Sequence, residues 1–241
     1  MPSALGSSAS MTATELKAPL RRIRMFGQDL AERAGARLDE EARVTLGHLL
    51  HATERMQSLL RDLLDLTRVS ARTPGSDAVD LGALAVGVAN DLATLPVDGE
   101  GRIEIGALPK VRGDPAQLRL VLQNLMTNAL KYRRPEVPPR VRIEGVPSEP
   151  GTQAFCITDN GIGFEPSQAE RIFAPFQRLH AARDYPGSGI GLAICRKVVE
   201  RHRGRIEAYG EPGRGARFVV VLPGAAPGPL WVAAGFTNQQ G

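Results

Sequence analysis

The sequence of 241 residues predicts an α+β protein in which a helical hairpin precedes a domain that mixes strands and helices. Two observations predict this fold class. Residues 11–72 repeat apolar side chains at three- and four-residue spacing, which is typical of amphipathic helices. Residues 79–223 combine short apolar strand segments with further helical patterns. A chain of this length has room for one compact domain and a smaller partner.

The N-terminal part of the chain predicts two long helices joined at Gly35. Residues 1–10 are small and polar, and we expect them to be a flexible leader. Asp39 is expected to cap the second helix. The apolar stripes are Leu16, Leu20, Ile23 and Leu30 on the first helix and Leu46, Leu49, Thr53, Met56, Leu60, Leu63 and Thr67 on the second.

A single hairpin cannot cover both of these stripes, so two chains are expected to form a four-helix bundle. This predicts a homodimer through residues 11–72. The alternative is a hairpin that packs on the rest of its own chain.

The remaining elements follow a predicted hinge at residues 73–78. Asp114 is expected to cap a helix with Pro115 at its first position. The tail, residues 224–241, is expected to be poorly ordered, although Leu230-Trp231-Val232 could dock. The other predicted elements are a helix at 81–95, strands at 102–106, 140–146 and 153–158, and a strand hairpin of 205–209 and 216–222.

Composition narrows the class of protein. No apolar run approaches the ~20 residues that span a bilayer, and residues 1–10 do not have the pattern of a signal peptide. The net charge of +4 comes from scattered arginines without interleaved aromatic residues, so nucleic acid is not an expected partner. Cys156 and Cys195 are expected to be buried thiols in a reducing cytoplasm.

A polar row lies on an otherwise apolar helical pattern. Asn124 and Asn128 are four residues apart and share one face, and Lys131 lies a turn further along. Burying these groups without partners is costly. A metal ion, phosphates and water would supply the partners.

A glycine-rich stretch follows later in the chain. Gly187, Gly189 and Gly191 alternate and lead directly into an apolar helix from Leu192 to Val199. Alternate glycines let backbone N–H groups approach an anion, and a helix start favours negative charge. The spacing differs from that of a dinucleotide fingerprint, and no phosphate loop ending in Gly-Lys-Ser/Thr occurs.

Between these two stretches lies Thr158-Asp159-Asn160-Gly161-Ile162-Gly163-Phe164, a strand that ends in an acid and a glycine turn. Each stretch alone is a weak signal. Their order and domain-scale spacing together are a strong one.

The three stretches resemble the N, G1 and G2 boxes of the ATP-binding domain of sensor histidine kinases, and Ile172–Phe176 resembles the F box. The resemblance extends over residues 79–223. It implies a GHKL-type (Bergerat) α/β sandwich in which a mixed sheet carries helices on one face. It also implies that ATP (or ADP) with Mg²⁺ binds under a mobile lid.

The resemblance assigns roles to individual residues. Asn128 would coordinate Mg²⁺, Asn124 and Lys131 would serve the phosphates, and Tyr132 would line the nucleotide site. Asp159 would accept a hydrogen bond from the adenine amino group. Arg178 and His180 would be either cations that face the phosphates or exposed lid residues. The remaining implied nucleotide contacts are Gly161 and Gly163 beside the base, and Gly187, Gly189, Gly191 and Leu192 at the lid hinge and phosphates.

The first helix carries a departure from the family. Ala13–Ile23 resembles the H box of phytochrome-type histidine kinases, with Thr14 where the family has its phosphoacceptor histidine and Glu15 as the adjacent acid. A threonine hydroxyl is a weak nucleophile until a base activates it, whereas imidazole has a free lone pair at neutral pH. The four histidines, His48, His51, His180 and His202, lack the box and are expected to be surface or packing residues.

A second departure concerns Ala18, which stands where many relatives have Thr or Asn to orient a water for phosphatase activity. Ala18 therefore argues lightly against that activity.

Three functions compete. The first is the output module of a phytochrome-like histidine kinase that binds Mg-ATP and dimerises but has lost autophosphorylation. An upstream photosensory domain and a response regulator would then be its partners. The second is an active kinase that phosphorylates Thr14 or another protein, and the third is a non-enzymatic dimeric scaffold. A gyrase-type hydrolase is disfavoured, because Asn124 stands where such enzymes carry a glutamate.

Overall fold

The computed structural model describes residues 4–71, 75, 77–93, 101–179, 185 and 187–225, with side chains from Glu15 onward except those of Arg68, Ser70 and Ala71. The chain divides into two compact units, one built on the N-terminal helices and one on the α/β region. Among the described residues, none of the helices combines the length and the hydropathy that a transmembrane span requires.

The N-terminal unit is a helical hairpin. Helix α1 (Ala4–Ala34) and helix α2 (Glu40–Ala71) are joined by a 3₁₀ turn, Gly35–Arg37. Asp39 caps α2 as predicted, because its Oδ1 accepts a hydrogen bond from the Ala42 N–H at 2.7 Å. The helices approach closely at Gly27, where an added Cβ would lie 2.7 Å from Leu50 Cδ2.

The flexible leader is a wrong prediction for residues 4–10, which are helical. Extending an existing helix is far easier than nucleating one, and this stretch contains no proline that would stop it. The first three residues of the predicted leader lie outside the described residues.

The hairpin leaves much of its apolar stripe uncovered. Among the described side chains, Leu60 and Leu64 form a small buried cluster against which the partly buried Leu20 packs. The large apolar side chains that stay between 37% and 63% exposed are Leu16, Ile23, Met25, Phe26 and Leu30 on α1 and Val44, Leu49, Met56 and Leu63 on α2. A second copy of the hairpin would cover them, and the four-helix bundle stays a prediction.

The α/β unit contains three helices and seven strands among the described residues. The strands are β1 (Asp77–Asp80), β2 (Arg102–Ile105), β3 (Lys110–Gly113), β4 (Arg140–Val146), β5 (Thr152–Asp159), β6 (Arg205–Glu211) and β7 (Gly215–Pro223). The helices are α3 (Leu81–Ala93), α4 (Pro115–Lys131) and α5 (Gly191–Arg201). These bounds agree closely with the predicted elements. The last two residues of the predicted helix 81–95 lie outside the described residues.

The main sheet is mixed, as the resemblance implied. Its order is β2-β4-β5-β7-β6, with β2 parallel to β4 and the other neighbours antiparallel. Helix α4 packs between α3 and α5. Its apolar face, including Leu122, Leu125 and Met126, is fully buried. This anchoring fixes which side of α4 stays available to a ligand.

A second, two-stranded sheet corrects the predicted hinge. Strands β1 and β3 pair antiparallel, and Asp77 and Ala78, assigned to the hinge, lie within β1. Burial of Val79 and Val111 between these strands and the rest of the unit explains the pairing. The predicted tail also begins too early, because Gly224 bridges to Val111 and donates to the Gly151 carbonyl at 3.0 Å. The rest of that tail, 226–241 with Trp231, lies outside the described residues.

Candidate nucleotide site

The polar row of α4 is held by the local chemistry of the helix. Asp114 caps it, because its Oδ1 accepts hydrogen bonds from the N–H groups of Ala116 at 2.9 Å and Gln117 at 3.0 Å. Pro115 occupies the first turn, where its missing N–H costs nothing. With the apolar face buried, the half-buried Asn124 and Asn128 flank the core. The predicted cap and polar row are therefore present.

Asn124 lies against the start of α5. Its Nδ2 donates to the Leu120 carbonyl at 2.9 Å, which turns Oδ1 the other way. A Cβ added at Gly191 would lie 2.7 Å from that Oδ1. Gly191 is the first residue of α5, and the first N–H groups of a helix have no partner within it. The structure thus brings Asn124 and Gly191 together at a helix start whose first N–H groups suit an anion.

Glycine at position 189 is required by the backbone itself. Gly189 has a φ of +76°, in the left-handed region that side chains disfavour. Leu192, the second residue of α5, is half-buried.

Lys131 and Tyr132 form a pair at the end of α4. Lys131 Nζ donates to Tyr132 Oη at 3.1 Å and lies 4.4 Å from the centre of the tyrosine ring. Burial raises the pKa of Tyr132, and the positive charge of Arg178 opposes that rise. Arg178 therefore lies close enough to Tyr132 to lower its pKa electrostatically. Three predicted site residues, Lys131, Tyr132 and Arg178, are thus neighbours.

Asp159 ends β5 with one oxygen already engaged. Its Oδ1 accepts hydrogen bonds from the N–H of Gly161 at 2.9 Å and of Ala216 at 3.2 Å. Burial raises the pKa of Asp159 to about 6, and these two hydrogen bonds limit the rise. The side chain is therefore mainly a carboxylate at neutral pH, with its second oxygen not used by these two bonds.

The two glycines after Asp159 are needed for backbone packing. A Cβ at Gly161 would overlap the Tyr132 carbonyl oxygen, which accepts a hydrogen bond from the Ile162 N–H at 2.9 Å. Gly163 has a φ of +64°, and a Cβ there would overlap the Glu211 carbonyl. The loop after Asp159 is in this way joined to the end of α4. A role of these glycines toward an adenine base stays a prediction.

The stretch that resembles the F box is half inside the core. Phe173 is buried, contacts the Phe218 ring edge-on at 6.5 Å, and supports the Arg196 guanidinium at 4.2 Å from its ring centre. Phe176 is 65% exposed with a φ of +63°. This anchors the chain that leads from β5 toward residues 180–190.

The predicted acceptor region belongs to the hairpin. Thr14 lies within α1, and its side chain lies outside the described part of the structure. Glu15 is exposed. His180 also lies outside the described residues, whereas His48 and His51 are exposed on α2 as expected.

His202 is a residue whose contribution the sequence did not reveal. It is buried, as a packing residue should be, but both of its ring nitrogens are engaged. Nε2 accepts a hydrogen bond from the Asp114 N–H at 3.0 Å, and Nδ1 lies 2.8 Å from the Val198 carbonyl. The sequence shows only that a histidine lies between the end of a helix and a strand. It does not indicate that this histidine bonds to the Asp114 N–H.

The site fits Mg²⁺ bound together with phosphates. Carboxamide oxygens, as on Asn124 and Asn128, are hard ligands of the kind Mg²⁺ accepts. No group of three or more His, Cys, Asp or Glu side chains suited to a metal occurs among the described residues. Mg²⁺ commonly takes one or two protein ligands and completes its shell with phosphates and water, so this donor set is sufficient.

Two known protein families match the two units. Residues 113–226 match the family described as histidine kinase-, DNA gyrase B-, and HSP90-like ATPase. Residues 4–72 match the His Kinase A (phospho-acceptor) domain.

Individual relatives agree with these matches. The phytochrome-like protein Cph1 of Synechocystis sp. is 33% identical over 215 residues, which cover 89% of this chain and 28% of Cph1. The crystal structure of full-length ShkA in complex with AMPPNP is 27% identical, with a TM-score of 0.67, and the match covers 93% of this chain and 47% of ShkA. The mycobacterial sensor histidine kinase MprB is 28% identical, with a TM-score of 0.53, over 62% of this chain and 97% of that one.

The chain thus spans well under half the length of the phytochrome-like relatives, and it carries the two matched domains one after the other. Together, the two matched domains, the mixed sheet with its helical layer and the similarity to Cph1 show that this chain belongs to the histidine kinases, with a HisKA and a HATPase_c domain of the phytochrome-like kind.

Proposed function

We propose that this chain is the output module of a phytochrome-like sensor histidine kinase that binds Mg-ATP but lacks the phosphoacceptor histidine. The observation that carries the proposal is the contact between Asn124 Oδ1 and position 191. It supports the proposal because a carboxamide of α4 lies beside the start of α5, whose first N–H groups suit phosphates.

The proposed binding mode divides the nucleotide between two ends of the site. The free oxygen of Asp159 accepts a hydrogen bond from the adenine amino group, while Oδ1 stays with Gly161 and Ala216. Asn124, Lys131 and the first N–H groups of α5 hold the phosphates. Asn128 would hold Mg²⁺, which neutralises phosphate charge when bound. A carboxylate at one end and cationic and N–H donors at the other would orient ATP.

The hairpin completes the proposal. Two copies would pair through residues 11–72 and cover the exposed apolar stripe of each. Thr14 would leave the module without its usual phosphoryl acceptor, so autophosphorylation is lost and the module acts as a pseudokinase. Similarity to Cph1 favours a photosensory domain upstream, a response regulator as partner and a cytoplasmic location.

A second candidate function is a kinase that phosphorylates Thr14 or another protein. It is favoured by Glu15, an exposed carboxylate that follows Thr14 in the sequence and is a candidate base. A scaffold that binds no nucleotide is the remaining alternative. It gives no functional reason for a carboxamide beside the first N–H groups of α5.

The test is calorimetric titration with ATP in the presence and absence of Mg²⁺. We expect binding that strengthens with Mg²⁺, and loss of this Mg²⁺ effect in Asn128→Ala. Thr127→Ala is the matched control, because Thr127 is the exposed neighbour on the same helix. Absence of ATP binding under both conditions would contradict the proposal and favour the scaffold.

A further inference from the structure

His202 connects the two helices that flank the candidate site. It follows the last residue of α5, is only 6% exposed, and reaches the first residues of α4. Its Nε2 accepts from the Asp114 N–H at 3.0 Å, and its Nδ1 lies 2.8 Å from the Val198 carbonyl. A backbone N–H can only donate, so the ring proton is on Nδ1 and is donated to Val198. The contact thus needs the neutral imidazole in one tautomer.

The position that His202 fills at the start of α4 is normally filled from within the helix. In a capping box, the residue at the third helical position reaches back to the N–H of the cap residue. Here that residue is Gln117, whose Oε1 is buried without a hydrogen-bond partner among the described residues. The Asp114 N–H is satisfied by His202 instead. The cap of α4 is therefore completed by α5.

The fit around the imidazole is close. A Cβ added at Gly113 would lie 2.7 Å from His202 Cδ2 and equally close to Leu118 Cδ1. The glycine at the end of β3 thus makes room for the ring. A side chain there would push His202 or Leu118 away.

Helices α4 and α5 run antiparallel with three contacts along them. Asp114 meets His202 at one end, the Cys195 Sγ lies 3.8 Å from the Val121 carbonyl in the middle, and Asn124 meets Gly191 at the other end. At 1.5 Å per residue, the outer contacts are about 15 Å apart. The middle contact acts as a pivot between the two helices, so a displacement at the His202 end changes the gap between Asn124 and Gly191 at the other end.

We propose that His202 is a positioning residue for the nucleotide site, which sets the spacing of Asn124 and Gly191 through the cap of α4. The inference rests on the proposed ATP binding, since that spacing is the one proposed to receive phosphates. His202 itself touches no ligand.

Three substitutions separate positioning from stability. His202→Gln can place Oε1 where Nε2 stands and keep the Asp114 bond while it loses the Val198 bond. His202→Asn can keep only the Val198 bond, and His202→Phe keeps ring volume but neither bond. Gln and Asn each lose one hydrogen bond, so a role in stability alone predicts similar behaviour for these two variants.

The readouts are the NMR signal of the Asn124 side-chain amide in the nucleotide-free chain and the dissociation constant for ATP. The amide signal should shift in the Asn and Phe variants and stay near its original position in the Gln variant. ATP affinity should fall about tenfold in Asn and Phe and change by less than about twofold in Gln. Gly113→Ala should shift the same amide signal with residue 202 unchanged, because the added Cβ would crowd the His202 ring and Leu118.

The control is Val220→Ala, a buried position on β7 that pairs with Phe155 and Ile206. It should lower the melting temperature and leave the Asn124 signal in place. Equal shifts in the Gln and Asn variants, or no shift in any variant, would overturn the positioning role. If the original chain binds no ATP, the proposed function fails, but the amide signal still decides the role of His202.

Discussion

The hairpin and the α/β unit differ in how much of their apolar surface each buries within itself. In the α/β unit, the apolar face of α4 is buried and the site residues hold one another through hydrogen bonds. In the hairpin, nine large apolar side chains stay more than a third exposed. The same contrast holds for the proposed chemistry, since the proposed nucleotide site lies within the α/β unit and the hairpin has Thr14 at the proposed acceptor position. The α/β unit buries its own apolar surface, whereas the exposed stripe of the hairpin is proposed to need a second copy.

The strongest predicted change is a loss of ATP affinity that leaves pairing of the hairpin intact. Asp159→Asn should weaken ATP binding by roughly 100-fold, since a charge-assisted hydrogen bond is lost. An asparagine Oδ1 can still accept from Gly161 and Ala216, but its amide then faces the adenine amino group, donor against donor. Titration calorimetry measures the affinity, and sedimentation should show an unchanged oligomeric state. Unchanged affinity would mean that the pocket assignment is wrong.

A substitution in the hairpin should weaken the predicted dimer and leave ATP binding unchanged. Leu49→Glu places a charge in the exposed apolar stripe of α2, where burial against a second copy would desolvate it. We expect the dissociation constant of the dimer to rise by about 100-fold, with ATP affinity unchanged. Analytical ultracentrifugation measures the dissociation constant. His51→Glu, on the opposite side of α2, should leave it unchanged, and a dimer indifferent to Leu49→Glu would refute the predicted bundle.

A smaller loss of ATP affinity is expected when the close approach of Gly191 and Asn124 is disturbed. Gly191→Ala puts a methyl group 2.7 Å from Asn124 Oδ1, so one of the two must move. ATP affinity should fall about tenfold, with little change in the melting temperature of the apo chain. Gly47→Ala is the matched control in a helix, because a Cβ at Gly47 meets nothing within 4 Å. Equal ATP affinity of the Gly191 and Gly47 variants would show that this contact does not shape the site.

The smallest effect concerns stability and pH. Burial raises the pKa of Asp159 from its ordinary value of 3.8 to about 6, so the folded apo chain holds this proton more tightly than the unfolded chain. The resulting stabilisation is complete below about pH 3.8 and is lost as the pH rises through about 6. Asp159→Asn should therefore raise the melting temperature by about 2–4 °C at pH 8 and by less at pH 5.

Calorimetric scans at the two pH values test this trend. A gain that is larger at pH 5 than at pH 8 would contradict the direction of the pKa shift. A confirmed gain would show that the α/β unit gives up stability to keep a carboxylate in its site.

Features set by local sequence could be predicted, and α4 shows why. Its start is fixed by Asp114 and Pro115, and its buried face by apolar spacing, all within one stretch of chain. Asp159 at the end of a strand could be found in the same way. The asparagine and glycine stretches could be placed in one site only through the resemblance to a family, since neither stretch encodes its distance from the other.

Features set by distant partners could not be predicted. Strand β1 has four residues and pairs with β3 across a helix and another strand, so the sequence around Asp77 and Ala78, its first two residues, predicts a hinge. His202 looked like an ordinary packing histidine because its bond to the Asp114 N–H depends on how α5 lies along α4. The bridge from Gly224 to Val111 was missed for the same reason.

We propose that this chain has a working nucleotide site and lacks the histidine that would accept the phosphoryl group. The most direct test of this proposal is incorporation of γ-labelled phosphate from Mg-ATP into this chain and into Thr14→His, with Asp159→Asn added to Thr14→His as the blank. We predict no label on the chain itself and an acid-labile, base-stable label on Thr14→His. Acid-stable label on the chain itself, or none on Thr14→His despite ATP binding, would contradict the account.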